Sequence, residues 1–147
     1  MEKKVFLVFL LAALLFLPAG TMAKSYSLEK AETFYSIGQG GLVQAEERIT
    51  FNFSGSYSFA YRDIEKGQWQ ISNVQVLEGA KPLQFELIGQ GNSTRVKWYY
   101  SALNETRTFT IKYKLSKAVT AYSDVAEFYW KAWGRGLEEP LKELYGE

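Results

Sequence analysis

The sequence predicts a mainly β fold, built as an antiparallel sandwich, and two observations carry that prediction. Val43–Phe53 and Thr108–Leu115 alternate between apolar and polar residues, the period of a half-buried strand. Clusters of glycine, serine, asparagine and proline cut the rest into short segments, the spacing of a β-sandwich. The expected architecture is an immunoglobulin-like sandwich of residues 24–147, with a signal helix before it and a short helical stretch at its end.

The elements follow in order. Tyr26–Ile37 is a strand candidate, closed by the turn Gly38-Gln39-Gly40-Gly41. The next strand, Val43–Phe53, turns Val43, Ala45, Ile49, Phe51 and Phe53 to one face and Gln44, Glu46, Arg48, Thr50 and Asn52 to the other. Ser54-Gly55-Ser56 reads as a hairpin turn into a strand with Tyr57, Phe59 and Tyr61 on one face. Further strands are expected at Trp69–Leu77, Leu83–Ile88 and Arg95–Tyr100. Phe109, Ile111, Tyr113 and Leu115 form the apolar face of the Thr108–Leu115 strand. Asp124-Val125-Ala126-Glu127 fits a capping box and opens either a helix to Gly134 or an aromatic strand. The tail from Glu138 to Tyr145 reads as one or two helical turns starting near Pro140.

The N-terminus carries Lys3 and Lys4, then an unbroken apolar run from Val5 to Leu17, then Pro18, Gly20 and small residues ending at Ala23. That order is a secretory signal peptide with cleavage expected after Ala23. As a helix, the run reaches only ~20 Å, short of the ~30 Å bilayer core. An uncleaved anchor is the other reading. Either way, residues 24–147 are expected outside the cytoplasm, secreted or membrane-associated at the cell surface.

Composition excludes several function classes. The chain has no cysteine and no histidine, which removes Ser-His-Asp triads, Cys-His nucleophiles and the usual zinc and copper ligands. No cofactor is expected, and carboxylate chemistry is what remains. Residues 1–23 take two lysines and one glutamate from totals of 17 basic and 16 acidic residues, leaving 15 of each. A balanced domain has no basic face for nucleic acid.

Glu47 stands out because it falls on the apolar face of its strand, where a carboxylate needs a partner. Arg62 and Asp63 lie across the expected hairpin, so Glu47 and Arg62 are expected to form a partly buried ion pair, with Asp63 beside them. Trp98-Tyr99-Tyr100 cannot all face the core, and Phe128-Tyr129-Trp130 with Trp133 raises the same question. Trp98, Tyr99, Tyr100, Phe128, Trp130 and Trp133 are therefore candidate interaction aromatics. Three of the four asparagines, Asn52, Asn92 and Asn104, sit in N-glycosylation sequons.

Taken together, Glu47-Arg48-Ile49-Thr50-Phe51-Asn52-Phe53-Ser54-Gly55-Ser56, Tyr61-Arg62-Asp63-Ile64, Phe109-Thr110-Ile111-Lys112-Tyr113 and Asp124-Val125-Ala126-Glu127-Phe128-Tyr129-Trp130-Lys131 resemble a known family. It is the N-terminal domain of prokaryotic predicted membrane proteins, the domain of unknown function numbered 2207. The resemblance runs from about Tyr26 to Pro140. It implies a signal peptide, an extracytoplasmic sandwich-like domain and membrane helices further on, with no activity attached. Family members continue beyond the position of Trp133–Leu141. This chain reads as a shortened secreted form, a truncated frame or one piece of a longer product, so the sandwich is allowed to be incomplete.

Two functional readings follow. The first is a non-catalytic envelope domain that contacts an envelope or membrane protein, or the remainder of its own membrane protein, through the candidate aromatics. The second is a carbohydrate-binding or carboxylate-dependent carbohydrate-active domain that uses Glu47, Asp63 and exposed tryptophans. A retaining glycosidase needs two carboxyl groups about 5–5.5 Å apart in a cleft.

Overall fold

The computed structural model describes residues 23–134 and 139–147. The expected signal helix, and Glu138 at the start of the expected helical tail, lie outside the described residues. Eleven strands form, and no α-helix is present among the described residues. They are β1 (Ser25–Ile37), β2 (Val43–Ser54), β3 (Ser56–Glu65), β4 (Gln70–Glu78), β5 (Lys81–Pro82) and β6 (Phe85–Gln90). They continue with β7 (Ser93–Leu103), β8 (Thr106–Ser116), β9 (Val119–Ala121), β10 (Ala126–Phe128) and β11 (Leu141–Gly146).

A six-stranded sheet in the order β11-β1-β2-β8-β4-β5 packs on a three-stranded sheet, β3-β7-β6, while β9 and β10 pair as a small ribbon. The expected sandwich thus forms from the alternation that predicts it. Strand β2 buries Val43, Ala45, Glu47, Ile49, Phe51 and Phe53 and turns the residues between them outward. Strand β8 buries Phe109, Ile111, Tyr113 and Leu115. Strand β7 closes the core from the other sheet with Val96, Trp98 and Ala102. Phe51, Trp98 and Phe109 make the central aromatic contact between the layers, with ring centroids 5.5–6.4 Å apart and tilted or edge-on. Such geometry suits rings whose faces are negative and edges positive.

Four expectations are corrected. First, β3 is not the hairpin partner of β2. Gly55, at φ 96°, turns the chain out of one sheet and into the other, and the neighbours of β2 are β1 and β8. Second, Tyr57, Phe59 and Tyr61 do not share a face. A bulge between Tyr57 and Phe59 shifts the register, so Ala60, Arg62 and Ile64 point inward while Phe59 is exposed. Third, of the two readings of Asp124–Gly134 the helix does not form and the strand does over Ala126–Phe128: β10 pairs with β9, and irregular chain follows.

Fourth, the tail is a strand. Leu141–Gly146 runs parallel to β1, with Leu28 opposite Leu141 and Thr33 opposite Gly146. The last residue joins the ladder, the Glu147 amide donating to the Thr33 carbonyl and the Tyr35 amide to the Glu147 carbonyl. One or two isolated helical turns are unstable in water. The free edge of β1 offers a full row of hydrogen-bonding partners instead.

Because Phe109 is fully buried at the contact between the sheets, truncating it tests the sandwich directly. Phe109→Ala is expected to cost about 3–5 kcal/mol. The measurement is the urea midpoint by near-ultraviolet circular dichroism; a shift like that of a surface substitution would contradict the assigned core.

Candidate functional site

Glu47 is fully buried between the two sheets. The period of β2 puts it inward, and β1 and β8 place Thr33 and Ile111 on either side of it. Its two carboxylate oxygens are both engaged. Arg62 Nε, from β3 in the opposite sheet, donates to Oε2 at 2.7 Å. The Tyr113 hydroxyl, from β8, donates to Oε1 at 2.6 Å. The pair therefore joins the two layers of the sandwich rather than two arms of a hairpin.

Arg62 also donates to two backbone carbonyls. Nη1 reaches the Asp63 carbonyl at 2.8 Å and Nη2 the Ala132 carbonyl at 3.2 Å. The second of these bonds fixes the chain segment that follows β10. That segment lays Trp133 over the guanidinium, 4.8 Å from ring centre to Cζ. Trp130 donates its indole N–H to the Tyr35 hydroxyl at 3.0 Å and packs edge-on against Trp69. Phe128 stacks parallel to Trp130. The aromatic segment is thus a roof over a buried charge pair.

The titration behaviour follows from this burial. Burial opposes the Arg62 charge, but the Glu47 charge and hydrogen bond outweigh it and hold the guanidinium above its usual range. Burial first, then the neighbouring Glu47 charge, pushes the Tyr113 hydroxyl well above the ordinary phenol range. The same causes raise Tyr35 to about 12.

Asp63 does not join this cluster. Neighbours on a strand face opposite ways, and Asp63 points outward into a bidentate pair with Arg95, at 2.7 and 2.8 Å. The shallow cleft nearest to Arg62, about 140 Å³, is lined by Arg62, Asp63, Trp69 and Trp130 but not by Glu47. Glu47 and Asp63 therefore do not form the carboxylate pair that glycoside cleavage requires.

The candidate aromatics divide by position. Trp98 is fully buried, and its indole N–H has no hydrogen-bond partner among the described residues. Tyr100 lies against Phe53 and Phe109. Phe128, Trp130 and Trp133 form the roof and are half-buried. They are covering groups, and no tryptophan is freely exposed among the described residues. Tyr99 is the exception, 40% exposed on the outer face of the three-stranded sheet. The sequons are all on the surface: Asn52 on the outer face of β2, and Asn92 and Asn104 in turns. Asn104 accepts from the Gly55 amide at 2.7 Å and Asn52 from the Thr106 hydroxyl at 3.2 Å. Ala23 is exposed at the start of the described residues.

A second concavity lies on the outer face of the six-stranded sheet, about 640 Å³ in volume, and sequence reasoning did not find it. It is lined by Phe34, Gln44, Asn73, Gln75, Lys112 and Lys114, among others. The β4 side of it carries a bulge, where Asn73 and Val74 together oppose Tyr113. The signal was present in the spacing Ile71, Val74, Val76, which slips the apolar period by one residue at an asparagine.

These features define a β-sandwich domain with an ion pair buried between its layers and two outer faces of different chemistry. The family described as the predicted membrane protein (DUF2207) N-terminal domain matches residues 27–147, and the chain belongs to it. Among the described residues, no helix is long and apolar enough to cross a membrane. No curated protein matches the sequence.

Some solved structures are similar to part of this chain. Yeast LTA4 hydrolase in complex with bestatin is 8% identical with a TM-score of 0.45, covering 65% of this chain and 16% of that one. Native leukotriene A4 hydrolase from Saccharomyces cerevisiae is 12% identical with a TM-score of 0.45 over the same shares. A mutant two-domain M1 zinc metallopeptidase bound to L-tryptophan is 10% identical with a TM-score of 0.44, covering 67% and 22%. The chain spans less than a quarter of each of those proteins. A likeness this low carries no argument about function.

Removing one partner of a buried pair leaves an uncompensated charge, so Arg62→Met is expected to cost about 3–5 kcal/mol. Adding Glu47→Gln is expected to recover part of that loss, measured by urea unfolding of both single variants and the double. If Arg62→Met behaves like Arg48→Met at the surface, the pair is not what holds the layers.

Alkaline titration gives an independent check. The folded-state values of Tyr35 and Tyr113 lie above the unfolded value near 10, so the fold favours their neutral forms. Their contribution is complete below pH 10; that of Tyr35 is lost as pH rises through about 12, and that of Tyr113 is likewise lost on the alkaline side. Tyrosinate absorbance at 295 nm should therefore rise for these two residues together with loss of the circular dichroism signal. Tyr113→Phe should lower stability at neutral pH by about 1.5–3 kcal/mol, the worth of a hydrogen bond to a charged group.

Proposed function

We propose that this domain is a non-catalytic interaction module, the extracytoplasmic N-terminal part of a cell-envelope membrane protein. One observation carries the reading: Glu47, the buried carboxylate, has both oxygens satisfied and a roof of aromatic residues above its partner. A group so placed stabilises the domain and meets no substrate.

The surface best suited to a protein partner is the outer face of the three-stranded sheet. Phe59 and Tyr99 sit opposite each other across β3 and β7, 47% and 40% exposed. Lys97 Nζ lies 4.7 Å from the Phe59 ring centre and 5.1 Å from that of Tyr99, and it is paired with Glu86. Exposed rings framed by paired charges resemble the anchor and rim of an interface. The partner is an envelope or membrane protein, or further segments of the same membrane protein.

In intact host cells, a membrane-impermeant amine reagent is expected to label Lys131 and Lys142; labelling only after lysis would overturn the placement. A photo-crosslinking residue at Tyr99 is expected to give a discrete adduct that the same residue at Thr108 does not. Equal adducts at both positions, or none at Tyr99, would overturn the assigned face.

A further inference from the structure

We propose that the groove on the outer face of the six-stranded sheet binds a neutral oligosaccharide. The proposal is independent of the partner face described above, which lies on the other sheet. Its volume, about 640 Å³, falls within the roughly 300–1,000 Å³ of small-molecule sites. Three observations point to a sugar.

The first is the backbone. Asn73 adopts φ 52°, a conformation that side chains other than asparagine, aspartate or glycine rarely take. The bulge there adds one residue to β4, turns Val74 toward the core and leaves Asn73 exposed at the groove. Bulges commonly re-aim side chains where a sheet binds something.

The second is unused hydrogen-bonding capacity. Gln44, Asn73, Gln75 and Lys114 line the groove, and their side chains make no hydrogen bond within the described residues. Most other outward polar groups of the same sheet are engaged: Thr50 with Thr108, Asn52 with Thr106, Arg48 and Lys112 with Glu46. Three primary amides offer donors and acceptors together, which is what a hydroxyl needs from its partner.

The third is the balance of charge and the single ring. Lys112 and Lys114 face Glu46 and Glu147 around the groove, so its lining is not net positive. An anionic ligand would call for a net positive lining. Phe34 supplies an apolar ring, with the Arg48 guanidinium 5.0 Å from its centre. A pyranose has a C–H face for such a ring and a rim of hydroxyls for the amides.

The test uses the full-length chain in a zwitterionic detergent that carries no sugar, labelled with nitrogen-15. Cellopentaose, laminaripentaose and N-acetylchitopentaose are titrated to millimolar concentration. At least one is expected to shift the amides of Phe34, Gln44, Asn73, Gln75 and Lys112 while leaving Phe59 and Tyr99 unmoved. Phe34→Ala and Gln75→Ala should each weaken that binding about tenfold. Asn73→Gly keeps the backbone conformation, because glycine adopts positive φ freely, and should weaken binding several-fold with the spectrum otherwise unchanged. No shift with any of the three sugars, shifts confined to another face, or binding indifferent to Asn73→Gly and Phe34→Ala would each overturn the proposal.

Discussion

A carboxylate buried on the apolar face of a central strand has to be neutralised where it stands, and this domain is arranged around that requirement. Desolvating an unpaired Glu47 would be prohibitive. Arg62 meets it from the opposite sheet, Tyr113 from the neighbouring strand, and the Arg62 donors left over tie down the segment carrying Trp130 and Trp133. The apolar face on which Glu47 lies fixes the register of β2. Sliding β2 by one residue would expose Glu47, but it would carry Ile49, Phe51 and Phe53 to the solvent face as well. Such pairs are weak sources of net stability, although removing one partner alone is costly. Here the pair ties β2 of one sheet to β3 of the other.

With the interior committed in this way, function is left to the outer faces, and the two differ in chemistry. The six-stranded sheet presents threonines, amides and paired charges. Its ion pairs, such as Arg48 with Glu46 and Lys112 with Glu46, are partly solvated and worth little to stability. What they do is set a neutral, hydrogen-bonding surface with one concavity. The three-stranded sheet presents aromatic rings beside Arg95 and Lys97, each cation held by a carboxylate. A polar face suits a hydroxyl-rich ligand and an aromatic face suits another protein, so one rigid sandwich can serve both.

Strand positions were legible wherever the alternation was regular, as in β2 and β8, because one buried face imposes period two on the residues. The oddity of Glu47 was legible for the same reason. Two β-bulges broke that legibility. In β3 the bulge after Tyr57 put Arg62 and Ala60 inward and Phe59 outward, so a face assigned by simple alternation came out reversed. In β4 the bulge places Asn73 at the groove, and its trace in the sequence is a three-residue step between Ile71 and Val74. The aromatics misled because a run such as Trp98-Tyr99-Tyr100 says that some ring must leave the core, not what covers it. Trp98 is buried and Tyr100 packed, and Tyr99 alone of the three faces out.

The sequence by itself determined the class of fold, the buried faces of β2 and β8 and the need for a partner to Glu47. Each depends on local periodicity and on the cost of burying charge. It also determined what chemistry is missing, since a chain without histidine or cysteine lacks those nucleophiles and ligands in any conformation. Tertiary structure decided which sheet β3 joins, the roof over Arg62 and the groove at Asn73. It decided the tail as well: Leu141–Gly146 has a helix-like composition, yet it becomes a strand because the open edge of β1 supplies hydrogen bonds that so short a helix cannot supply for itself. Those outcomes depend on residues far apart in the chain, and no local pattern encodes which distant edge or face will be free to receive them.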